Sequence, residues 1–228
     1  MRRPSLLALA PAVVAATVAA PLALGAQAPA QPAANVTSAP VALPTGWQMR
    51  LDRPGAKTDG MRFVTMGKGL HATTGPAAIF WDPANTASGS YTVEASFTQT
   101  KAPAHPEAYG LILGGRNLDG EGQDYLYFIV RGDGKYMINH RAGAQVHKLT
   151  DWTANAAVKP ADAAGKATNA LRVRVGADSV RFDVNGTQVD AKPRGGMVGR
   201  DGIVGLRVNH MLDVHVDGPR VSAAGSTR

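Results

Sequence analysis

The chain has 228 residues, no cysteine and a formal net charge of +7 at neutral pH. The absence of thiols excludes disulfides, thiolate metal sites and cysteine catalysis, so packing alone must stabilise the fold. Aromatic residues make up 6% of the chain and the basic residues are scattered, which argues against a nucleic-acid stacking surface. The charge favours no more than weak attraction to an anionic cell envelope or an acidic polysaccharide.

Residues 1–26 have the order of a secretory signal peptide. Arg2 and Arg3 precede an apolar, alanine-rich run from residue 6 to residue 24, and the small residues Ala26 and Ala28 offer a cleavage site. The run is close to the ~20 residues that span a bilayer, so a retained anchor and an N-terminal lipid remain as alternatives. The pattern predicts a secreted or periplasmic protein with no membrane span after cleavage.

Residues 27–45 are rich in alanine and proline, with serine and glutamine between them. Such a segment buries too little apolar surface to fold and is predicted to be a disordered linker. Residues 46–222 form the predicted folded domain, a length that suits one all-β domain with its own core. Residues 223–228 are predicted to be a flexible tail.

Short stretches of β-branched and aromatic residues follow Trp47, separated by Gly, Asn, Asp and Pro, without helical periodicity. Residues 91–97 alternate between apolar and polar side chains, which predicts a strand with one buried face. Segments 109–113 and 125–130 are apolar on both faces, as central strands are. The turn at 132–134 then leads into a strand at 136–140, forming a hairpin.

Residues 171–175 and 180–184 also alternate, and Asn185-Gly186 follows them directly. This dipeptide tolerates the two positive φ values of a type I′ turn, so a short strand at 187–189 completes a three-stranded meander. Strands at 203–208 and 212–216 bring the predicted total to about ten to thirteen. Without helices, that many strands must pack as two sheets or close as a barrel.

Turn and core residues recur in a characteristic order along these strands. They are Gly134-Lys135-Tyr136, Leu149, Asp151-Trp152, Asn169 and Leu171, Phe182 before Asn185-Gly186, and Asp201-Gly202 before Gly205-Leu206. Over residues 46–222 this order resembles the concanavalin A-like lectin/glucanase superfamily, with its laminin G-like and 3-keto-disaccharide hydrolase-like jelly rolls. The resemblance implies an all-β, two-sheet antiparallel β-sandwich, a jelly roll with a concave face where relatives commonly bind or cleave carbohydrate.

The resemblance leaves three functions open. The first is a lectin-like module that binds a glycan or cell-envelope polysaccharide on its concave face. The others are a glycoside or 3-keto-disaccharide hydrolase and an envelope protein-interaction domain. Hydrolysis usually needs two carboxylates facing one sugar, yet the only glutamates are Glu94, Glu107 and Glu121, and none stands in a Glu-x-Asp-x-Glu motif. No catalytic residue is assigned, and a binding protein is favoured over an enzyme.

A sugar site needs an aromatic plate for the apolar face of the ring and planar or forked donors for the hydroxyls. The candidates lie in or beside the predicted central strands. They are Tyr109, Arg116, Asn117, Tyr127, Arg131, Asn139, Arg141 and Trp152. The alternative for each is an ordinary core aromatic or a solvated charge.

The loop from residue 117 to residue 122 places oxygen ligands at alternate positions and a glycine at the sixth. This spacing resembles the opening of a calcium loop, and it predicts Asn117, Asp119, Glu121 and Asp124 as Ca²⁺ ligands. Phe128 stands where an EF-hand has its bidentate Glu, so the loop is not an EF-hand. The alternative is a polar hairpin loop, and no cofactor is required by the predicted fold.

Overall fold

The computed structural model describes residues 40–223, which contain fourteen β-strands. The predicted signal peptide, most of the linker and nearly all of the tail lie outside the described residues. In the described part of the chain, no helix is long and apolar enough to cross a membrane. The strands are β1 (Gln48–Leu51), β2 (Arg62–Met66), β3 (Gly69–Thr73), β4 (Ala78–Ala87), β5 (Tyr91–Gln99), β6 (Ala108–Arg116), β7 (Asp124–Arg131), β8 (Lys135–Ala142), β9 (Gln145–Ala154), β10 (Ala167–Val175), β11 (Ser179–Val184), β12 (Thr187–Pro193), β13 (Gly202–Val208) and β14 (Asp213–Ala223).

The strands form two seven-stranded antiparallel sheets. The first has the order β1-β4-β13-β6-β7-β8-β9, and the second has the order β12-β11-β10-β5-β14-β3-β2. Neither sheet closes on itself, so each must bury one face against the other. The predicted all-β, two-sheet antiparallel β-sandwich of jelly-roll type is confirmed.

The main core lies between the two sheets and is built by the period-two alternation of the strands. In β5, the side chains predicted to face inward are buried and those between them are half-buried. Aromatic pairs join the sheets across this core: the ring centroids of Phe97 and Tyr109 lie 5.4 Å apart, and those of Phe128 and Phe182 lie 5.3 Å apart. Burial of such rings supplies much of the stability that a chain without disulfides must find in packing.

The meander predicted from the alternation of residues 171–184 is present as β10, β11 and β12. Asn185 and Gly186 have φ values of 50° and 84° at the turn between β11 and β12, as a type I′ turn requires. The side chain of Asn185 also accepts a hydrogen bond from the Ala170 amide at 2.9 Å. The turn is therefore held to β10 as well as to its own hairpin.

The chain contacts the core before the predicted start of the domain at residue 46. Val41 and Leu43, which the sequence pattern placed in the linker, are half-buried against the core between the sheets. Two isolated apolar residues among alanines and prolines carry no periodicity, so the sequence pattern had no means of assigning them to the core.

Candidate functional site

The first sheet carries a second buried cluster on the face turned away from the second sheet. We call this face, with the side chains of the first sheet that point to it, the outer face. Its buried residues are Ile79, Trp81, Ala108, Ile112, Leu118, Tyr125, Tyr127 and Ile129, with Met137, Trp152 and Ile203 packed partly buried against them. On a sheet face that is in contact with water, the outward-pointing residues are expected to be polar. The apolar and aromatic residues of the outer face therefore need an explanation beyond the core between the sheets.

Arg207 on β13 is the buried charge of the outer face. Its guanidinium donates to both carboxylate oxygens of Asp52, with Nη1 3.0 Å from Oδ1, and Nη1 lies 3.3 Å from the Tyr125 hydroxyl. The guanidinium carbon lies 4.9 Å from the centre of the Tyr127 ring. Its cross-strand partners are Ile79 on β4 and Gly110 on β6, and Gly110 has no side chain.

The protonation of this pair follows from its surroundings. Burial alone would raise the pKa of Asp52, but the charge and hydrogen bonds of Arg207 outweigh burial and hold that pKa below its ordinary value of 3.8. Burial would lower the pKa of Arg207, and the neighbouring Asp52 instead raises it. Both groups are therefore ionised at neutral pH, and Asp52 is not a proton donor there.

A second arginine covers an aromatic ring at the β8–β9 side of the outer face. The guanidinium carbon of Arg131 lies 4.3 Å from the centre of the Trp152 ring. The Asp133 carboxylate accepts two hydrogen bonds from Arg131, from Nε to Oδ1 at 2.8 Å and from Nη2 to Oδ2 at 2.6 Å. The result is a doubly hydrogen-bonded acid–arginine pair over an indole.

Asn139 lies beside Tyr127 on the outer face. Its amide nitrogen donates to the Tyr127 hydroxyl at 3.0 Å, while its carbonyl oxygen is buried without a hydrogen-bond partner. Arg141, two residues along the same strand, donates from Nε to the Gly143 carbonyl at 2.8 Å. Tyr125 is the cross-strand partner of Arg141, so both lie on the outer face.

Five of the eight predicted sugar-binding residues are thus brought together on the outer face. They are Tyr127, Arg131, Asn139, Arg141 and Trp152. Their contact with a ligand stays a prediction.

The other three predicted residues lie elsewhere. Tyr109 is fully buried between the sheets, and its hydroxyl accepts a hydrogen bond from Asn169 at 3.1 Å. Arg116 and Asn117 are exposed at the end of β6, where Arg116 donates to the Asp201 carbonyl at 3.2 Å. Tyr109 therefore points away from the surface that holds the other aromatic candidates.

Four residues of the site were not predicted from the sequence: Arg207, Asp52, Tyr125 and Asp133. A signal for Arg207 was present, since it is the single charge in the apolar run from residue 203 to residue 208. No local signal marked Asp52, whose partner lies 155 residues away in the chain. Tyr125 and Asp133 stood inside segments that were assigned only as a strand and a turn.

The predicted calcium ligands lie in different surroundings. Asp119 and Glu121 are exposed, whereas Asp124 is bonded to Arg200 through both oxygens, at 2.7 and 2.8 Å, and to His140 at 3.0 Å. Among residues 40–223, no three His, Asp or Glu side chains form a group that could hold a metal ion. Calcium binding by this loop stays a prediction.

The same loop closes one end of the outer face. The side chain of Leu118 is buried in the outer cluster. Arg50 donates to the Asp119 carbonyl at 2.7 Å on one side of the loop, and the Gly143 amide donates to the Gln123 carbonyl at 2.7 Å on the other. The more exposed part of the face is accordingly the opposite end, where β7 and β9 finish and where Arg131 and Trp152 are half-buried.

No protein-family model matches the chain, and no curated protein matches it by sequence. Solved structures do match. The carbohydrate-binding module CBM66 from Bacillus subtilis aligns with a TM-score of 0.57 at 14% identity, over 81% of this chain and 100% of that one. A Bacillus subtilis protein of unknown function with a galectin-like fold aligns with a TM-score of 0.54 at 14% identity, over 77% and 88%. The Bacillus licheniformis β-glucanase aligns with a TM-score of 0.50 at 12% identity, over 76% and 90%. Identities this low carry information on fold alone.

Proposed function

The chain has the concanavalin A-like lectin/glucanase fold that its turn and core residues predicted, and from that premise we propose that it is a carbohydrate-binding module. The glycan lies on the outer face of the first sheet, at the end that holds Arg131 and Trp152. One of the similar structures is itself a carbohydrate-binding module, which supports the proposal by analogy of fold.

The Arg131–Asp133 pair on Trp152 is the observation that carries the proposal. Sugar hydroxyls both donate and accept hydrogen bonds, and a salt-bridged carboxylate and guanidinium offer both functions side by side. The indole beneath Arg131 is itself only half-buried. Arg141 and Met137, also half-buried, extend the surface along β8.

The protein acts outside the cytoplasm, in the periplasm or after secretion, and its partner is a glycan of the cell envelope or a related polysaccharide. The support is the order of charge, apolar run and small residues in positions 1–26. Mass spectrometry of the protein recovered from periplasm or medium tests it. Mature protein lacking about the first 26 residues is expected, and cytosolic protein with an intact N-terminus would contradict it.

A glycan array probed with the purified chain tests the binding function, with one arm in CaCl₂ and one in EDTA. We expect selective binding of one glycan class. Trp152→Ala and Arg131→Ala should each weaken binding by about 10-fold or more, since each removes a desolvated contact of roughly 1.4 kcal/mol or more. The calcium arm also tests the predicted loop, because only a calcium site makes binding depend on the ion.

Arg172→Ala is the matched control. Arg172 lies on the second sheet, where its exposed side chain bonds Glu94, so its loss removes a surface arginine without touching the outer face. It should leave glycan binding unchanged. Background signal for every glycan in both arms, or equal losses in the control and in Arg131→Ala, would contradict the proposal.

Hydrolysis has less support than binding. A glycosidase needs one carboxyl that is protonated at working pH beside one that is not. Asp52, the carboxylate at the buried end of the outer face, has a lowered pKa and is bonded to Arg207. Glu107, near Arg131, is bonded to His105 at 3.0 Å.

A further inference from the structure

A separate cavity of about 210 Å³ opens at one end of the sandwich. It lies between the loops that follow β5 and β9 and the turn between β7 and β8. We call it the rim pocket. Its walls include Gln99, Pro103, Pro106, Glu107, Gly132 and Ala161. The volume is below the ~300–1,000 Å³ of drug-sized sites, so its ligand must be small.

A carboxylate forms part of the wall of the rim pocket. The side chain of Glu107 is only 10% exposed, and its Oε1 lies 3.0 Å from Nε2 of His105 and 3.8 Å from Nδ1 of His210. Both histidines are largely exposed, at 65% and 57% of their side chains. Arg131, the nearby fixed cation, is already bonded twice to Asp133. Glu107 therefore lacks a buried, permanently charged partner.

A second acceptor stands at the inner wall. Gln99 is 1% exposed, and its amide nitrogen donates to the Gly165 carbonyl at 2.6 Å, while its Oε1 has no hydrogen-bond partner. A Cβ placed on Gly132 would lie 3.4 Å from this oxygen and 3.5 Å from the Cβ of Ala161. The unpaired carbonyl thus lies behind the part of the pocket that Gly132 leaves free of side chain, and it adds negative potential to that of Glu107.

We infer that the rim pocket binds a small organic cation, specifically a primary ammonium group on an aliphatic carbon. Such a group carries three donors and no acceptor, which matches the Glu107 carboxylate and the unpaired Gln99 carbonyl in the wall. A charge-assisted bond to Glu107 is strong because the carboxylate is largely desolvated. The carbons of the ligand pack against Pro103, Pro106 and Ala161. A simple alkylammonium and an amino sugar share this chemistry.

Nuclear magnetic resonance titration of the full, ¹⁵N-labelled chain tests the inference. The probes are n-butylammonium chloride and glucosamine, with butanol and glucose as neutral counterparts at equal ionic strength. Saturable shifts of the amides of Ala104, Gly132 and Gly165 are expected with the two ammonium probes only. Tighter binding of glucosamine identifies an amino sugar as the ligand class, and tighter binding of butylammonium identifies a simple alkylammonium.

Two variants locate the site. Glu107→Gln keeps the shape and removes the charge, and it should weaken ammonium binding by about 10-fold. Gly132→Ala adds a methyl at ordinary contact distances, so the fold is kept while the pocket narrows and binding falls. Glu94→Gln, which removes a carboxylate on the second sheet, should change nothing.

The inference is separate from glycan binding on the outer face. Trp152→Ala should leave the ammonium titration unchanged, so the two ideas fail independently. The absence of saturable shifts with both ammonium probes, equal shifts with butanol and glucose, or unchanged affinity in Glu107→Gln would each overturn it.

Discussion

Arg207 is a charged residue in an otherwise apolar central strand, and its placement depends on one carboxylate. Taking a guanidinium out of water is costly unless a partner compensates the charge, so removing one member of a buried pair costs more than the pair contributes. Asp52 supplies that compensation through two hydrogen bonds.

Asp52→Ala should therefore lower the free energy of unfolding by about 3 kcal/mol, because it leaves Arg207 buried and unpaired. Urea denaturation followed by circular dichroism measures this. Glu94→Ala is the control, since it breaks an exposed pair with Arg172 and should cost less than about 1 kcal/mol. Equal losses in the two variants would show that Arg207 does not depend on Asp52.

At the scale of single residues, the sequence could place some of the site and not the rest. Tyr109 and Tyr127 both stand in strands that are apolar on both faces, so alternation could not tell which side each ring takes. The register pairs Tyr127 with Ile112 and Tyr109 with Val130, and this pairing puts the two rings on opposite sides. Only the registration of β6 against β7 could supply that information.

At the scale of elements, a strand was predictable where its apolar residues alternate or form a run, and the edge strand β12 was predictable from the turn before it. β5, β10 and β11 alternate cleanly and were found from their sequence. β9, an edge strand, is exposed along most of its length and offers no apolar period to detect. β6 has another feature, a glycine at its centre, where neighbouring backbone comes unusually close.

Gly110→Ala should destabilise the first sheet strongly. A Cβ there would lie 2.1 Å from the Phe128 carbonyl oxygen and 2.8 Å from the Ile129 Cα. These are backbone atoms of the adjoining strand, so β6 and β7 would have to separate, at a cost of about 3 kcal/mol. The midpoint of thermal unfolding measures the loss.

Gly120→Ala is the matched control for that substitution. Its added Cβ would meet nothing nearer than the Asn117 carbonyl oxygen at 3.7 Å, so the free energy of unfolding should change by less than about 0.5 kcal/mol. A wild-type midpoint for Gly110→Ala would mean that the strands can shift to admit a methyl group.

At the scale of the whole molecule, the fold was predictable because the turns and the core alternation agree with each other along the chain. The ends of the domain were less predictable, as the contacts of Val41 and Leu43 with the core illustrate. Long-range charge pairs, which set how the molecule responds to pH, were invisible in the sequence. Asp52, Asp124 and Asp213 each meet partners more than ten residues away.

Those three carboxylates predict acid-sensitive stability. Burial opposes their ionisation. It is outweighed at Asp52 by Arg207, at Asp124 by Arg200 and His140, and at Asp213 by Thr100 and Thr73, so each pKa lies below 3.8 in the folded state. A lowered folded pKa gives stability that is present above the unfolded value and lost as pH falls through the folded one.

The contribution of these carboxylates to the free energy of unfolding should accordingly be constant above about pH 5 and should decline below about pH 4. Urea titrations at stepped pH measure it, and Asp52→Asn should make the decline shallower. A stability that stays constant down to about pH 2, or a decline unaffected by Asp52→Asn, would contradict the assignment.

Trp81 and Trp152 both belong to the outer face, and they are two of only three indoles in the chain. Ultraviolet emission from this protein is therefore weighted toward one surface instead of averaging over the whole fold. A ligand that displaced Arg131 from the Trp152 ring would alter that emission directly, giving a label-free optical signal of occupancy without any engineered probe.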